Sequence, residues 1–473
     1  MSGQGQPSIL QWPLRDRSLN PMPEPYYTGQ LARFVHRSRW HDLPTPVQHE
    51  AVRALVNWVC CTYAGASHPS VQSALATLKG LSSDSTCTVM GCERKLDPLS
   101  AALVNGLSAS AHAFDDAHLQ TVAHPGAPTL AALLAHAEQY AVSGPDFLHA
   151  LVLSYEVQCR LSCALAARPA HCNLGWYMTG ITGAVGVAAG VGKLMGLSEQ
   201  QLAWAMGLGA VQASGLRVSH GTMACAFIPG DAGRNGLLAA RLAANGFTCH
   251  ENALAAQHGL LPVLGDPANP EVLTDRLGQH WETMNVSLKP FPSGCLTHAV
   301  IDACLALVRQ YHFPSDEIVR IDLQVHCLAL ELTGRPEPRH SFDAQASIQH
   351  WAAAVLHYRR ASLAEASEDS VHDPAVISLR QRVQATVSDD LESDEARLCV
   401  TLRDGRRLEA SAMPCIGSPR RPMSDAELQA KFLALTAPVI GPARASQLSE
   451  YCWSVSSATD VARAAPGFWG LLQ

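Results

Sequence analysis

The chain has 473 residues, 47% of them hydrophobic and 16% charged, with a formal net charge of −7. These figures exclude both a disordered chain and a small scaffold, since this length suffices for two or more packed units. They also argue against a nucleic-acid partner, which calls for a basic surplus to neutralise phosphates.

Residues 1–27 form a polar, proline-rich arm without the continuous apolar core of a secretion signal. The 15 cysteines are scattered along the chain and do not fall into zinc-binding spacings, so reduced thiols in a cytoplasmic protein are expected and no metal is signalled. The longest apolar stretches, around Ala54–Ala66 and Gly183–Gly192, are too short or too glycine-rich to cross a bilayer, so no membrane association is expected.

From Thr28 to Gly65 the apolar positions Leu31, Phe34, Val35, Val52, Leu55, Val56 and Val59 recur at helical spacing. Helices of 12 residues or more are predicted over Leu99–Ala113, Thr129–Ser143, Gly144–Ala167, Thr179–Met195, Ser198–Ser214 and Asp231–Asn245, several opened by Ser, Thr or Asp. Their alanine and glycine content suits an interior bundle with close helix contacts. After the turn-rich Gly265–Pro270 the texture changes. Ile318–Val325 alternates as a half-buried strand, and Arg397–Leu402, Asp404-Gly405 and Arg407–Ala410 read as a hairpin. Helical patterns at Leu296–Tyr311 and Ser341–Tyr358 lie between them. The tail returns to helix over Asp425–Thr436, capped by Ser424, and again near Ala445–Ser454. The expected architecture is mainly α: a helical domain built from residues 28–270 and 416–473, with a smaller α+β domain, 271–415, inserted in it.

Three segments carry candidate chemistry. Ala113–Gly126 holds Asp115, Asp116, His118 and His124, two carboxylates and two imidazoles suited to general acid–base work, or else a helix C-cap and its polar loop. The loop Ser214–Gly230 carries Arg217, His220 and Cys225 and leads to Asp231, a candidate N-cap. Cys225 is a nucleophile candidate or a small apolar filler. In Ser287–Ala303, Lys289 stands before two prolines that stiffen its backbone and His298 follows. Lys289, one of only five lysines (with Lys79, Lys95, Lys193 and Lys431), reads as a carboxylate anchor or as a solvated linker residue.

The blocks FDDAHLQTVAHPG, GWYMTGITGAVGVAAGVGKLMGLS, GTMACAFIPGDAGRNGLLAARLAANGF, SLKPFPSGCLTHAVIDA and PMSDAELQAKF, in this order, resemble the MmgE/PrpD family. That family includes 2-methylcitrate dehydratase, cis-aconitate decarboxylase and iminodisuccinate epimerase. The resemblance implies an all-helical domain with an inserted α+β lid, a homodimer, and a cleft between the domains that handles small di- or tricarboxylates without metal or organic cofactor. It further implies an active-site role for His124, substrate binding by Lys289, and an acidic pair at Asp115 and Asp116. Tyr177 stands where the family pattern has a histidine, Cys225 where it has a lysine and Ile228 where it has a second histidine. A lid-strand tyrosine of the decarboxylase falls near Leu330. The expected function is a lyase, a dehydratase or decarboxylase, whose acid has fewer carboxylates or a longer apolar tail. Tyr177, Phe227 and Ile228 would line an apolar pocket, and Arg217, His220 or His118 would share anchoring and proton transfer. An epimerase, or a catalytically lapsed binding subunit, is the alternative.

Overall fold

The structure is a computed structural model and describes residues 26–81, 86–463 and 469. Most of the proline-rich arm therefore lies outside the described residues.

The helical body begins with α1 (Tyr27–Arg37), α2 (Thr45–Gly65), α3 (Pro69–Leu78) and α4 (Pro98–Ser110). It continues with α5 (Gly126–Ala137), α6 (Gly144–Ala166), α7 (Met178–Leu194), α8 (Glu199–Ala210), α9 (Ala224–Ala244) and the short α10 (Leu260–Leu264). Two small ladders interrupt it: β1 (Cys87–Thr88) with β2 (Lys95–Leu96), and β3 (Ala117–His118) with β4 (Val286–Ser287). Helix α7 lies in the middle and is buried from Met178 to Gly192. Small residues make this possible: a Cβ on Gly190 would lie 2.6 Å from the Ala150 carbonyl oxygen of α6, and one on Gly230 would lie 2.3 Å from the Leu103 carbonyl oxygen of α4.

A second unit follows. It contains α11 (His298–Gln310), β5 (Ile318–Val325), α12 (Cys327–Thr333), α13 (Ser341–Ala344), α14 (Ile348–Tyr358), α15 (Glu368–His372), α16 (Pro374–Arg380), β6 (Val383–Val387), β7 (Ala396–Leu402) and β8 (Arg407–Ala412). The sheet order is β6-β5-β7-β8, with β5 and β6 parallel and the other pairs antiparallel. In β7 burial alternates strictly, and its inward residues meet α11 and α14 in a core drawn from Phe291 to Cys415. The chain then returns to the helical body as α17 (Asp425–Ile440) and α18 (Pro442–Ser454), burying Leu428, Phe432, Leu448 and Cys452 beside α2. The fold is mainly α with a small inserted α+β unit.

Several expectations change at their edges. Leu273 packs in the helical core around α6 to α9, and Trp281 and Leu288 pack in the core around α2, so the small unit starts nearer residue 291 than 271. Helix α9 starts at Ala224 with Pro229 inside it, so Asp231 does not cap it: Asp231 is buried within the helix and accepts a hydrogen bond from Asn235 at 3.0 Å. Ser341–Tyr358 is two helices, because the Ser347 hydroxyl accepts the His350 N–H and starts α14 afresh. Leu330 lies on helix α12, started by the His326 side chain, and not on a strand. The strand β6 and the helix α3 were not read from the pattern. β6 is half exposed and lacks clean alternation.

Candidate active site

Between the helical body and the small unit lies a cleft. Asp115, His124, Tyr177, Cys225 and Lys289 line it from the helical side, and Phe342, Gln345 and Ala346 close it from the other. An adjoining chamber shares His124, Tyr177 and His220 and adds Arg217, Leu296 and Leu332.

Lys289 is 1% exposed. Its Nζ donates to Asp115 Oδ1 and to the Ala113 carbonyl oxygen, each at 3.0 Å. Burial alone would raise the Asp115 pKa, but the cationic Lys289 and the adjacent His124 outweigh it and hold the carboxyl below its usual range. The Lys289 backbone is fixed in turn by Lys431, whose buried Nζ donates to the carbonyl oxygens of Lys289 and Phe114, both at 2.8 Å, and to Asn57 Oδ1 at 2.7 Å. Lys431 on α17 thus joins the acidic segment to the lysine segment.

His124 Nδ1 lies 2.7 Å from the Asp116 carbonyl oxygen. A carbonyl only accepts, so Nδ1 carries the proton and Nε2 is the basic nitrogen of the ring that lines the cleft. The His124 N–H donates to Thr179 Oγ1 at 2.8 Å, fixing the backbone to the start of α7. Burial, with Lys289 nearby, lowers the His124 pKa to about 4 although Asp115 pulls it upward, so the ring is neutral at pH 7. Asp116 itself does not line the cleft. Its carboxylate accepts the Tyr155 hydroxyl and, at 3.0 Å, the Gly126 N–H at the start of α5, and burial pushes its pKa up to about 6. Its contribution to the site is the carbonyl that orients His124.

Tyr177 is the last residue before α7 and is 5% exposed. Its ring meets His124 and His220 edge-on, with centroids 6.0 and 5.1 Å apart. Burial drives its hydroxyl pKa well up, so Tyr177 is a neutral donor. Cys225 sits in the first turn of α9, and burial raises its thiol to about 11, which removes thiolate character at neutral pH. His220, half-buried near Arg217 and Arg335, is lowered to about 3 by desolvation and by these cations, and its buried Nε2 has no hydrogen-bond partner among the described residues. Arg217 donates to the carbonyl oxygens of Leu174 (2.7 Å) and Trp176 (3.2 Å) and is in no ion pair with a carboxylate among the described residues, leaving its charge for an anion.

Residues 29–273 match the MmgE/PrpD N-terminal domain and residues 291–455 the MmgE/PrpD C-terminal domain. The chain belongs to the MmgE/PrpD family. Its relatives include the cis-aconitate decarboxylase-like protein oryM of Aspergillus oryzae, 28% identical over 93% of this chain and 96% of that protein. The cis-aconitate decarboxylase of Aspergillus terreus is 24% identical over 92% of this chain and 94% of its own length, and the human cis-aconitate decarboxylase is 28% identical over 86% and 87%.

Of the residues singled out in the sequence, Asp115, His124, Tyr177, His220, Cys225 and Lys289 meet in the main cleft, and Arg217 in the adjoining chamber. His118 does not line either. It is fully buried with Nδ1 2.8 Å from Thr121 Oγ1 and Nε2 3.1 Å from Glu282, because β3 pairing with β4 turns it toward the interior. Phe227 is 42% exposed and Ile228 packs against Gly180 and Gly215, so neither forms the expected apolar wall. The apolar surface comes from Ala226, Phe342 and Leu332. Thr179, Lys431 and Phe342 were missed, since each acts through a contact that no local spacing signals.

Proposed function

We propose that the protein is a decarboxylase of a small unsaturated di- or tricarboxylic acid that carries an apolar substituent. The observation behind this reading is the Lys289–Asp115 pair under a neutral His124, in a cleft whose remaining wall is largely apolar. Lys289 is already paired with Asp115, so an incoming dianion also draws on Arg217 and on the N-terminal end of α9, where Cys225 stands. A pocket with so few free cations holds a tricarboxylate less tightly than a cation-rich one would, so an apolar substituent has to supply part of the binding.

Binding an anion beside His124 favours its charged form, so the ring enters the complex with a proton on Nε2. Loss of carbon dioxide breaks the C–C bond to one carboxylate and leaves an electron pair delocalised into the adjoining double bond. His124 Nε2–H delivers its proton to the resulting carbanionic carbon, and solvent restores that proton, so one proton is consumed per carbon dioxide released. Lys289 and Arg217 hold the retained carboxylate while charge shifts onto it, and Tyr177 donates from the side. The family likeness further supports a homodimer acting in the cytoplasm, where the free cysteines stay reduced.

The test is incubation of the purified protein with cis-aconitate and with an alkyl-substituted aconitate. Carbon dioxide and a product lighter by that loss are expected, faster with the substituted acid. Loss or gain of water instead would move the reading to a dehydratase, and full activity of both His124→Ala and Lys289→Ala would remove the proposed site. Ligand-induced stabilisation without product would favour a binding subunit.

A further inference from the structure

Behind the Lys289–Asp115 pair, His118 of β3, Cys163 of α6 and Glu282 come together from three distant segments, each buried, with one donor atom apiece all within 4.8 Å of one another. The geometry points to a zinc site formed by His118 Nε2, Cys163 Sγ and Glu282, which pins the two strands that carry the cleft's acid and lysine segments.

Charge is the first argument. The Glu282 side chain is 8% exposed, yet no lysine or arginine lies at ion-pair distance from it among the described residues. Its neighbours are His118 Nε2 at 3.1 Å, Asn285 Nδ2 at 2.9 Å and His280 Nε2 at 3.4 Å. Arg160, close in space, is committed to Glu156 and to the carbonyl oxygens of Val272, Asp275 and His280. A buried carboxylate without a permanent cation invites one. A divalent ion bound by one carboxylate, one thiolate and one neutral imidazole forms a neutral unit, which suits an interior.

Donor chemistry is the second. Sulfur and imidazole with one carboxylate are a borderline-soft set that selects zinc over magnesium or calcium. Tetrahedral bonds of about 2.0–2.3 Å place ligand atoms roughly 3.3–3.5 Å apart, so the observed span needs only a side-chain contraction. Among the described residues the hydrogen bonding of Cys163 Sγ is otherwise limited to a long 3.8 Å contact with Gln120 Oε1. His118 Nδ1 meets Thr121 Oγ1 at 2.8 Å, the outer hydrogen bond that fixes a ligating imidazole's tautomer. His280, whose side chain is 40% exposed and whose Nε2 lies 3.4 Å from Glu282, marks the route of entry from solvent. On binding, the Cys163 thiol loses its proton to solvent as the sulfur–metal bond forms, so one proton is released per ion.

The location gives the site its consequence. His118 pairs with Val286 and Ala117 with Ser287; Asp115 and Asp116 immediately precede β3, and Lys289 follows β4 by two residues. An ion linking His118, Glu282 and α6 fixes the register on which the Lys289–Asp115 contact depends.

The experiment uses the full, tag-free chain stripped with a chelator and titrated with zinc and with cobalt(II). One equivalent is expected, with a thiolate-to-cobalt charge-transfer band, a melting midpoint raised by a few degrees, and loss of the band in Cys163→Ser but not in Cys249→Ser. Wild-type protein that takes up no stoichiometric ion, that binds cobalt without the thiolate band, or whose band survives Cys163→Ser would overturn the assignment, and the wild-type result stands whether or not the variant folds.

Discussion

Lys289→Met removes the ammonium and keeps most of the aliphatic stem, so it isolates the charge of the central pair. Among the described residues Asp115 then keeps only the neutral His124, whose Nδ1 lies 3.5 Å from its Oδ2, at ion-pair distance. Breaking a buried pair from one side leaves an uncompensated charge at a cost of about 3–5 kcal/mol. With Lys289 gone, burial raises the Asp115 pKa above its unfolded value, so the folded state binds the extra proton and stability falls as pH rises. The loss is therefore largest near neutrality and shrinks toward pH 4. Adding Asp115→Asn removes the orphaned charge and is expected to restore stability to within about 1–2 kcal/mol of the parent, while activity stays absent in both variants. Urea transitions at two pH values, followed by tryptophan fluorescence, give the cycle. If Lys289→Met costs less than about 1 kcal/mol, or the double variant is no more stable than the single one, the pair is not the buried, mutually compensating unit described.

The lowered histidines set a pH signature: His68, His124, His136, His149 and His350 at about 4 and His220 and His298 at about 3 are neutral when folded, whereas unfolded histidine takes up its proton near pH 6.5. The unfolded state binds more protons in that window, so stability is full above about pH 6.5 and declines toward pH 4, by up to about 1.4 kcal/mol per unit for each such group; a denaturation series that is flat across this range counts against their burial. Substrate binding at pH 7 is expected to take up a proton at His124, seen by calorimetry as a heat that varies with buffer ionisation enthalpy and loses that dependence in His124→Gln. Cys225→Lys adds a cation to the cleft and is expected to improve cis-aconitate turnover about 10-fold or more, through charge-assisted binding; no change in a folded variant contradicts the charge argument. Gly221 has φ +87° and a Cβ there would sit 2.1 Å from Asp343 Oδ1, so Gly221→Ala is expected to disturb the Arg335–Asp343 ion pair of the small unit, next to the cleft-lining Phe342, and raise KM more than it lowers kcat.

Much of the helical body was legible because its apolar spacing and caps are local: Ser198 and Ser424 form complete capping boxes where the pattern places them. The α9 start was not, because Pro229 and three glycines between Ser214 and Gly230 read as loop although the helix runs through Pro229. Lys289 was conspicuous as a rare residue between stiff neighbours, but its partner Asp115 lies 174 positions away, a contact only the fold creates. His118 shows the converse. It shares a loop with His124, yet strand pairing sends the two rings to opposite sides, one to Glu282 and one to the cleft. Lys431 sits in an ordinary-looking amphipathic helix and reveals its role only through three backbone and amide acceptors from other segments.

The central claim is that this family member decarboxylates a small unsaturated acid with a proton delivered by His124. Turnover of an alkyl-substituted aconitate in deuterated water, with carbon dioxide measured alongside the product's mass, tests it most directly. The account predicts equal amounts of carbon dioxide and of a product carrying one deuterium on carbon, both abolished in His124→Ala. Deuterium exchange without carbon dioxide, or carbon dioxide release that persists in His124→Ala, would contradict it.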